Sequence, residues 1–436
     1  MHVQRPRETI RNSLQKTQPQ PSPYQLAPAP YSQMTGSEAR KLFEPIRVGN
    51  IELAHRVVLA PLGRFRADGA HVPTDLMVEY YSQRASVPGT LLISEATMIS
   101  PRAGGYDNLP GIWSEEQISG WRKIVDAVHA QGSFMYMQLW AVGRAADPAI
   151  ISQHDCTENP GGPYPYVSAS DIPLGDRNDG IKPRSLTHDE ILEYIELYGQ
   201  AAHNAVHRTG FDGVEIHGAH GYLIDQFTQD VSNKRTDQWG GSMENRIRFA
   251  LEVVQKVVRV VGEERTGIRL SPFNTFQDMR MHNPEPTFSA LVSRIREAYP
   301  RFAYLHVVEP RIAGACDREA LAGESNDFLR TIWKRPDSAS NGSVYISAGG
   351  YTPGGALEQA ENDGELVAFG RHFISNPDLP ERVKKDIPFT PYNRDLFYAV
   401  GLPMGYIDYP FADDETRRKY QENWAKWKNS NAHGTS

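Results

Sequence analysis

From Arg56 to Phe369 the chain alternates short apolar runs with longer segments whose apolar residues recur every three or four positions. The runs are Val57-Val58-Leu59-Ala60, Leu91-Leu92-Ile93-Ser94, Phe134-Met135-Tyr136-Met137, Val214-Glu215-Ile216, Gly267-Ile268-Arg269-Leu270, Tyr304-Leu305-His306-Val307-Val308, Val344-Tyr345-Ile346-Ser347 and Leu366-Val367-Ala368-Phe369. Runs without strict polar alternation are strands covered on both faces. Between them, 118–130 puts Ile118, Trp121, Val125 and Val128 on one stripe, and 247–261 does the same with Phe249, Val253, Val257 and Val260, so these are helices. Ser114-Glu115-Glu116-Gln117 and Thr187-His188-Asp189-Glu190 both read as capping boxes that start a helix. Eight such alternations predict the α/β class and a single (β/α)8 TIM barrel, which carries its function at the carboxyl ends of the strands. The longest interruption, 144–184, is rich in Gly, Pro and Ser and follows the third strand, so it is expected to cap the barrel mouth.

The strand exits turn this architecture into a candidate site. The fourth strand releases His217, His220 and Tyr222 within six positions. That grouping offers two donors to an anionic or polarised oxygen, with a phenolic acid beside them. A single His there would more often be satisfied by local structure. The first strand ends at Pro61-Leu62-Gly63-Arg64, the second at Glu95-Ala96-Thr97 and the third at Gln138-Leu139-Trp140, while the fifth carries Arg269. The seventh ends at Gly349-Gly350 and the eighth at Gly370-Arg371, where this fold usually cradles a phosphate on bare backbone. Arg371 is placed to grip that phosphate bidentately. Gln138 offers a donor and an acceptor to the amide edge of a heterocycle, and Arg269 a fixed positive charge, so flavin mononucleotide (FMN) satisfies the set. The alternative for Arg269 is a structural ion pair inside the barrel.

Composition narrows the partners. The 436 residues carry a net charge of −7, which gives no reason to bind nucleic acid or anionic lipid. No run approaches the ~20 apolar residues of a membrane span. Two cysteines, Cys156 and Cys316, are too few for a disulfide framework or an iron-sulfur cluster. The expected partner is a small molecule, in a monomer or homodimer, in the cytoplasm. A mitochondrial presequence built on Arg5, Arg7, Arg11 and Lys16 is the alternative, weakened by Glu8 and the early prolines. Residues 1–38 read as a disordered Pro/Gln-rich tail, 39–425 as the FMN-binding barrel and 426–436 as a C-terminal tail.

Over roughly 41–412 the chain resembles the old yellow enzyme family of FMN-dependent ene reductases. The residues that carry the resemblance are 102–108 with 111–115, Gln138-Leu139-Trp140, 221–227, 235–246, Arg269-Leu270-Ser271-Pro272, 370–379 and 405–410. The resemblance implies that NADPH reduces FMN and that hydride then passes from flavin N5 to the β-carbon of an α,β-unsaturated aldehyde or ketone. It implies that His217 and His220 hold the carbonyl oxygen and that Tyr222 protonates the α-carbon. It adds Pro61, Gly63 and Ala96 to the flavin contacts and makes Tyr106, Trp140, Phe397 and Tyr398 pocket walls. The His/His pair is that of plant oxophytodienoate reductases, and the long cap suits a bulky substrate of the kind fungal members handle. Gly63 departs from the family, which usually has Thr or Cys there to tune the flavin. The loop 311–316 lacks the large aromatic of some relatives, which predicts a roomier pocket.

Three rivals remain in view. A metal-dependent hydrolase or lyase would use His217 and His220 as ligands, but no strand exit offers an obvious third, so no metal is expected. A non-catalytic barrel would leave Tyr222 and Arg269 without purpose. An FMN enzyme that isomerises an alkene without net reduction is closest, and the proton offered by Tyr222 favours reduction.

Overall fold

The computed structural model describes residues 41–152, 163–334 and 343–432. The tail expected over 1–38 and Cys156 lie outside them. Eight parallel strands form the centre: β1 (Val57–Leu59), β2 (Leu91–Ile93), β3 (Phe134–Trp140), β4 (Gly213–Gly218), β5 (Thr266–Leu270), β6 (Tyr304–Val308), β7 (Val344–Ala348) and β8 (Leu366–Phe369). Each pairs with the next, and β8 pairs with β1 through Val367↔Val57, which closes the barrel. All eight expected strands are present. β3 runs on through Trp140, so Gln138 and Trp140 belong to the strand and not to its exit.

Helices Asp75–Arg84, Glu115–Ala130, His188–His203, Met243–Val261, Glu285–Ala298, Asp327–Trp333 and Pro353–Asp363 follow β1 to β7 in order. Both expected capping boxes form: Ser114 accepts from Gln117 N, and Thr187 from Glu190 N, each worth about 1 kcal/mol of helix stability. The core lies between the helix ring and the strands, with Trp121, Ile124, Phe249, Val253, Leu291 and Phe288 fully buried. A final helix spans Asp414–Ala432, and the boundary expected at 425 falls inside it. It continues because Trp424 and Trp427 stack at 4.9 Å and pack against the core, an aromatic pair spaced for one helix face.

The described residues of the insertion after β3, which was expected to cap the mouth, pack beside it. Its Tyr164, Tyr166 and Leu174 pack on the cluster formed by Trp140 and Val142, and the Tyr166 hydroxyl donates to Arg144 O at 2.6 Å. The insertion also reaches the loop after β5. Arg144 Nη2 donates to Gln277 O at 2.8 Å, and Gly175 N donates to Asp278 Oδ2 at 2.5 Å. These ties hold Gln277 and Asp278 in left-handed backbone at φ 59° and 56°, a conformation that side-chain-bearing residues adopt only where the surroundings enforce it.

Candidate active site

One cleft opens at the carboxyl ends of the strands, and every site residue expected from the sequence lines it: Pro61, Gly63, Ala96, Tyr106, Gln138, Trp140, His217, His220, Tyr222, Arg269, Gly349, Gly350, Gly370, Arg371 and Tyr398. Strands separated by more than three hundred residues of sequence therefore converge on one volume.

The end of β4 supplies the most polar wall. His217 is still in the strand, whereas His220 sits at φ 58°, which swings its ring back beside its neighbour at a centroid distance of 5.9 Å. The turn is fixed by its own hydrogen bonds: His220 N donates to Ser271 Oγ at 2.8 Å and Gly221 N to Asp225 Oδ2 at 2.9 Å. Burial pushes the Asp225 carboxyl up to about 7. Tyr222 then stands at the position preceding the helix Leu223–Thr228, with its ring 5.0 Å from His217 and 4.9 Å from Trp140.

Electrostatics fix the protonation of this triad. Burial lowers both imidazoles well below the ordinary histidine range, with the Arg269 charge adding to the effect, so both are neutral at pH 7. Ala219 N donates to His217 Nδ1 at 3.3 Å, which leaves the ring proton on Nε2 as a free donor. His220 Nε2 is sealed from water without a partner. Burial raises the Tyr222 phenol, with nearby Tyr398 adding to the rise, and the phenol stays protonated through neutral pH.

Deeper in the barrel, Arg269 makes no ion pair within 4.0 Å among the described residues, and its Nε is buried without a partner. The structural ion pair considered for it is absent. Its guanidinium keeps its charge despite a pKa lowered by burial, since an arginine starts far above neutrality. An orphaned buried polar group costs about 1–3 kcal/mol, and the residues lining this cleft hold four, on Trp140, His220, Arg269 and Tyr351. Such a set fits a polar ligand lying across the barrel mouth.

The ends of β7 and β8 are built differently. Gly349 has φ 138°, and a Cβ there would stand 2.9 Å from Ile312 and 3.0 Å from Glu309, so only glycine fits. Gly350 follows at φ 62°. The bare backbone suits a phosphate, but Arg371 is not free to grip it as expected. Its Nη1 donates to Asp317 Oδ2 at 2.7 Å and its Nη2 to Asp317 Oδ1, a two-point ion pair. The Asp317 carboxylate lies 3.3 Å from the position a Gly350 Cβ would take. It comes from the hairpin Ile312–Ala313/Cys316–Asp317 after β6, whose pairing swings an acidic side chain over the glycines. A carboxylate thus stands where the anion cradle was expected to be open.

Beside loop 311–316, for which a roomier pocket was expected, stands Phe276 from the strained loop after β5; it lines the cleft with its ring 2.9 Å from where a Gly314 Cβ would sit. Phe65 adds another aromatic wall, edge-on to Tyr106 at 6.5 Å and to Tyr398 at 5.7 Å. Both aromatics escaped the sequence reading because loop residues carry no period, and Phe65 points inward from left-handed backbone at φ 57°. Glu215 and His306 were missed although they left a signal: each is an ionisable residue inside an apolar strand run.

A model of the NADH:flavin oxidoreductase / NADH oxidase family matches residues 41–389. Chanoclavine-I aldehyde reductase of Penicillium roqueforti (strain FM164) is 51% identical over 377 residues, covering 85% of this chain and 96% of that protein. An NADP-dependent oxidoreductase of Aspergillus flavus is 48% identical over 385 residues, covering 86% and 97%. Relatives described as probable inactive reductases also match, one from Epichloe festucae var. lolii at 44% identity over 381 residues. Among solved structures, Old Yellow Enzyme from Pichia sp. AKU4542 superposes with a TM-score of 0.76 at 37% identity, over 86% of this chain and 94% of that one.

Proposed function

The chain belongs to the NADH:flavin oxidoreductase / NADH oxidase family, the old yellow enzymes, and uses FMN with a reduced nicotinamide as hydride donor; on that premise we propose that it reduces the carbon–carbon double bond of a bulky α,β-unsaturated aldehyde or ketone. The observation that carries this reading is the triad at the end of β4, two neutral imidazoles and one protonated phenol facing the same volume. FMN, when bound, supplies the two-electron chemistry, relaying hydride from the nicotinamide to the β-carbon of the alkene.

His217 Nε2–H and the His220 ring donate to the substrate carbonyl oxygen. Donation draws electron density from the alkene and stabilises charge that builds on that oxygen in the transition state. Neutral donors suit this task because they do not surrender a proton to the oxygen. Tyr222 delivers its proton to the α-carbon, completing net reduction. Gln138, Arg269, Pro61, Gly63 and Ala96 line the cleft beneath, where the isoalloxazine would lie, and Gly349, Gly350, Gly370 and Arg371 surround the place for its phosphate. Trp140, Tyr106 and Tyr398 form the walls that select a substrate. An aldehyde substrate is favoured by the chanoclavine-I aldehyde reductase at 51% identity.

The second reading is an isomerisation of the same alkene without net reduction. One experiment separates the two. Reduction consumes one nicotinamide per product and adds two mass units, whereas isomerisation does neither. In stopped flow, Tyr222→Phe should leave flavin reduction by NADPH nearly intact and slow reoxidation by an enone about 10²–10⁴-fold. Nitroalkenes should suffer less, because water can protonate their stable anions later. Equal slowing of both half-reactions, or none with an enone, would remove Tyr222 from this role.

A further inference from the structure

Beneath the cleft lies a polar layer that the reaction outlined above does not use. Glu215 on β4 and His306 on β6 are both 0% exposed, in a barrel interior shared with Val58, Ile346, Ala368 and the rings of Tyr136 and Tyr304. A carboxylate is rarely carried so deep without a partner that needs it. Here it has two. Gln138 Nε2 donates to Glu215 Oε1 at 2.7 Å, and His306 Nδ1 donates to Oε2 at 2.7 Å. Gln138 and Glu215 face each other across β3 and β4, and Arg269 pairs in register with His306 on the neighbouring strands.

We propose that Glu215 is a positioning residue for the flavin: it locks the amide of Gln138 in one orientation and sets a negative charge against Arg269, so that it governs how much more tightly the site holds reduced than oxidised FMN. The amide orientation follows from chemistry. An ionised carboxylate only accepts, so it must face the NH2 side of Gln138, which leaves Oε1 and one N–H for the cleft. The charge follows from the neighbours. Burial lowers the pKa of His306, so its Nδ1–H is a neutral donor, and the Glu215 carboxylate faces the Arg269 guanidinium, whose field it offsets. Reduced FMN carries more negative charge than oxidised FMN, so a layer of zero net charge favours it less than a layer of +1. The unpartnered His306 Nε2 marks the layer as built for the carboxylate, since the ring leaves one nitrogen unsatisfied in order to serve Glu215 with the other.

The inference rests on Gln138 and Arg269 being flavin contacts, so FMN binding to the wild-type protein is measured first; a protein that holds no FMN overturns both readings. The test variant is Glu215→Gln, followed by titration of bound FMN against a reference dye. The expected result is a rise in the preference for reduced over oxidised FMN of about tenfold or more, equivalent to about 30 mV in a two-electron potential. Gln138→Ala and the double variant complete a cycle: coupling through the amide makes the two changes less than additive. If Glu215→Gln does not fold, His306→Leu strips one donor from the carboxylate and should shift the preference in the same direction, while His306→Gln, which restores a donor, should return it toward wild type. A folded Glu215→Gln or His306→Leu protein whose midpoint matches wild type would overturn the proposal, whatever its melting temperature.

Discussion

The end of β4 and the ends of β7 and β8 face the same cleft, yet their polar groups are in opposite states. At β4 the imidazole of His220 is sealed without a partner and the donor of His217 stands free, with Tyr222 beside them. At β7 and β8 the cations are already engaged: Arg371 is forked onto Asp317, and Arg311 Nε donates to Gly349 O at 2.6 Å. Folding has therefore met the desolvation cost on the substrate side in advance, about 1–3 kcal/mol for each orphaned group, and a ligand there recovers it. An anion that bound Arg371 would have to exchange with a carboxylate, and the gain would be only the difference between two ion pairs. On the proposed reading the first region would select strongly and the second would load reversibly.

Breaking the prepared side should have the largest effect. Replacing both His217 and His220 by Ala should abolish binding of a para-substituted phenol as its phenolate, together with the long-wavelength charge-transfer band it gives with oxidised flavin. A double variant that keeps the band at wild-type affinity would dismiss the clamp. The same ligand tests the protonation state. Both imidazoles have pKa values lowered well below 6.5, so they stay neutral as pH falls through that value. Phenolate binding should then follow the ionisation of the phenol alone, with no further step near pH 6.5; a step there would mean that an imidazole titrates normally.

The exchanging side should respond less and in both directions. Arg371→Ala removes a charge-assisted contact worth about 1.5–3 kcal/mol, so FMN affinity should fall roughly 10–100-fold in a fluorescence titration. Asp317→Asn removes the competing carboxylate and should tighten FMN severalfold, since Asp317 is 63% exposed and its pair with Arg371 is partly screened. A loss of affinity in Asp317→Asn would show that the carboxylate orients Arg371 for the phosphate and does not compete with it. The smallest effect is expected at Gly63. A Cβ there meets Leu109 at 3.4 Å, an ordinary contact, so Gly63→Thr should fold. Restoring the hydroxyl should change the preference between oxidised and reduced FMN by roughly 2–12-fold, the worth of one net hydrogen bond.

The same contrast governs how much could be read from the sequence. The barrel was legible because each strand is a run of buried residues and each long helix a stripe, signals that local periodicity preserves. His217, His220 and Tyr222 were legible because they lie within six positions of one strand exit. Arg371 lines the cleft, but its pairing with Asp317 left no trace in the sequence, because Asp317 is 54 residues earlier in an exposed hairpin with no periodic signal. Phe276 was invisible for a similar reason: its position depends on Arg144 and Gly175 holding a left-handed loop, a contact between segments about a hundred residues apart. Composition reported which groups exist, and only tertiary pairing reports which of them are already spent.

That left-handed loop has a consequence for how relatives diverge. Gln277 and Asp278 are anchored by Arg144 and Gly175, which belong to the cap and not to the barrel. Insertions or substitutions in 144–184 can therefore re-aim Phe276 without altering any strand of the barrel. On the proposed reading, exchanging caps between family members should carry preference for one alkene over another along with the transplanted segment.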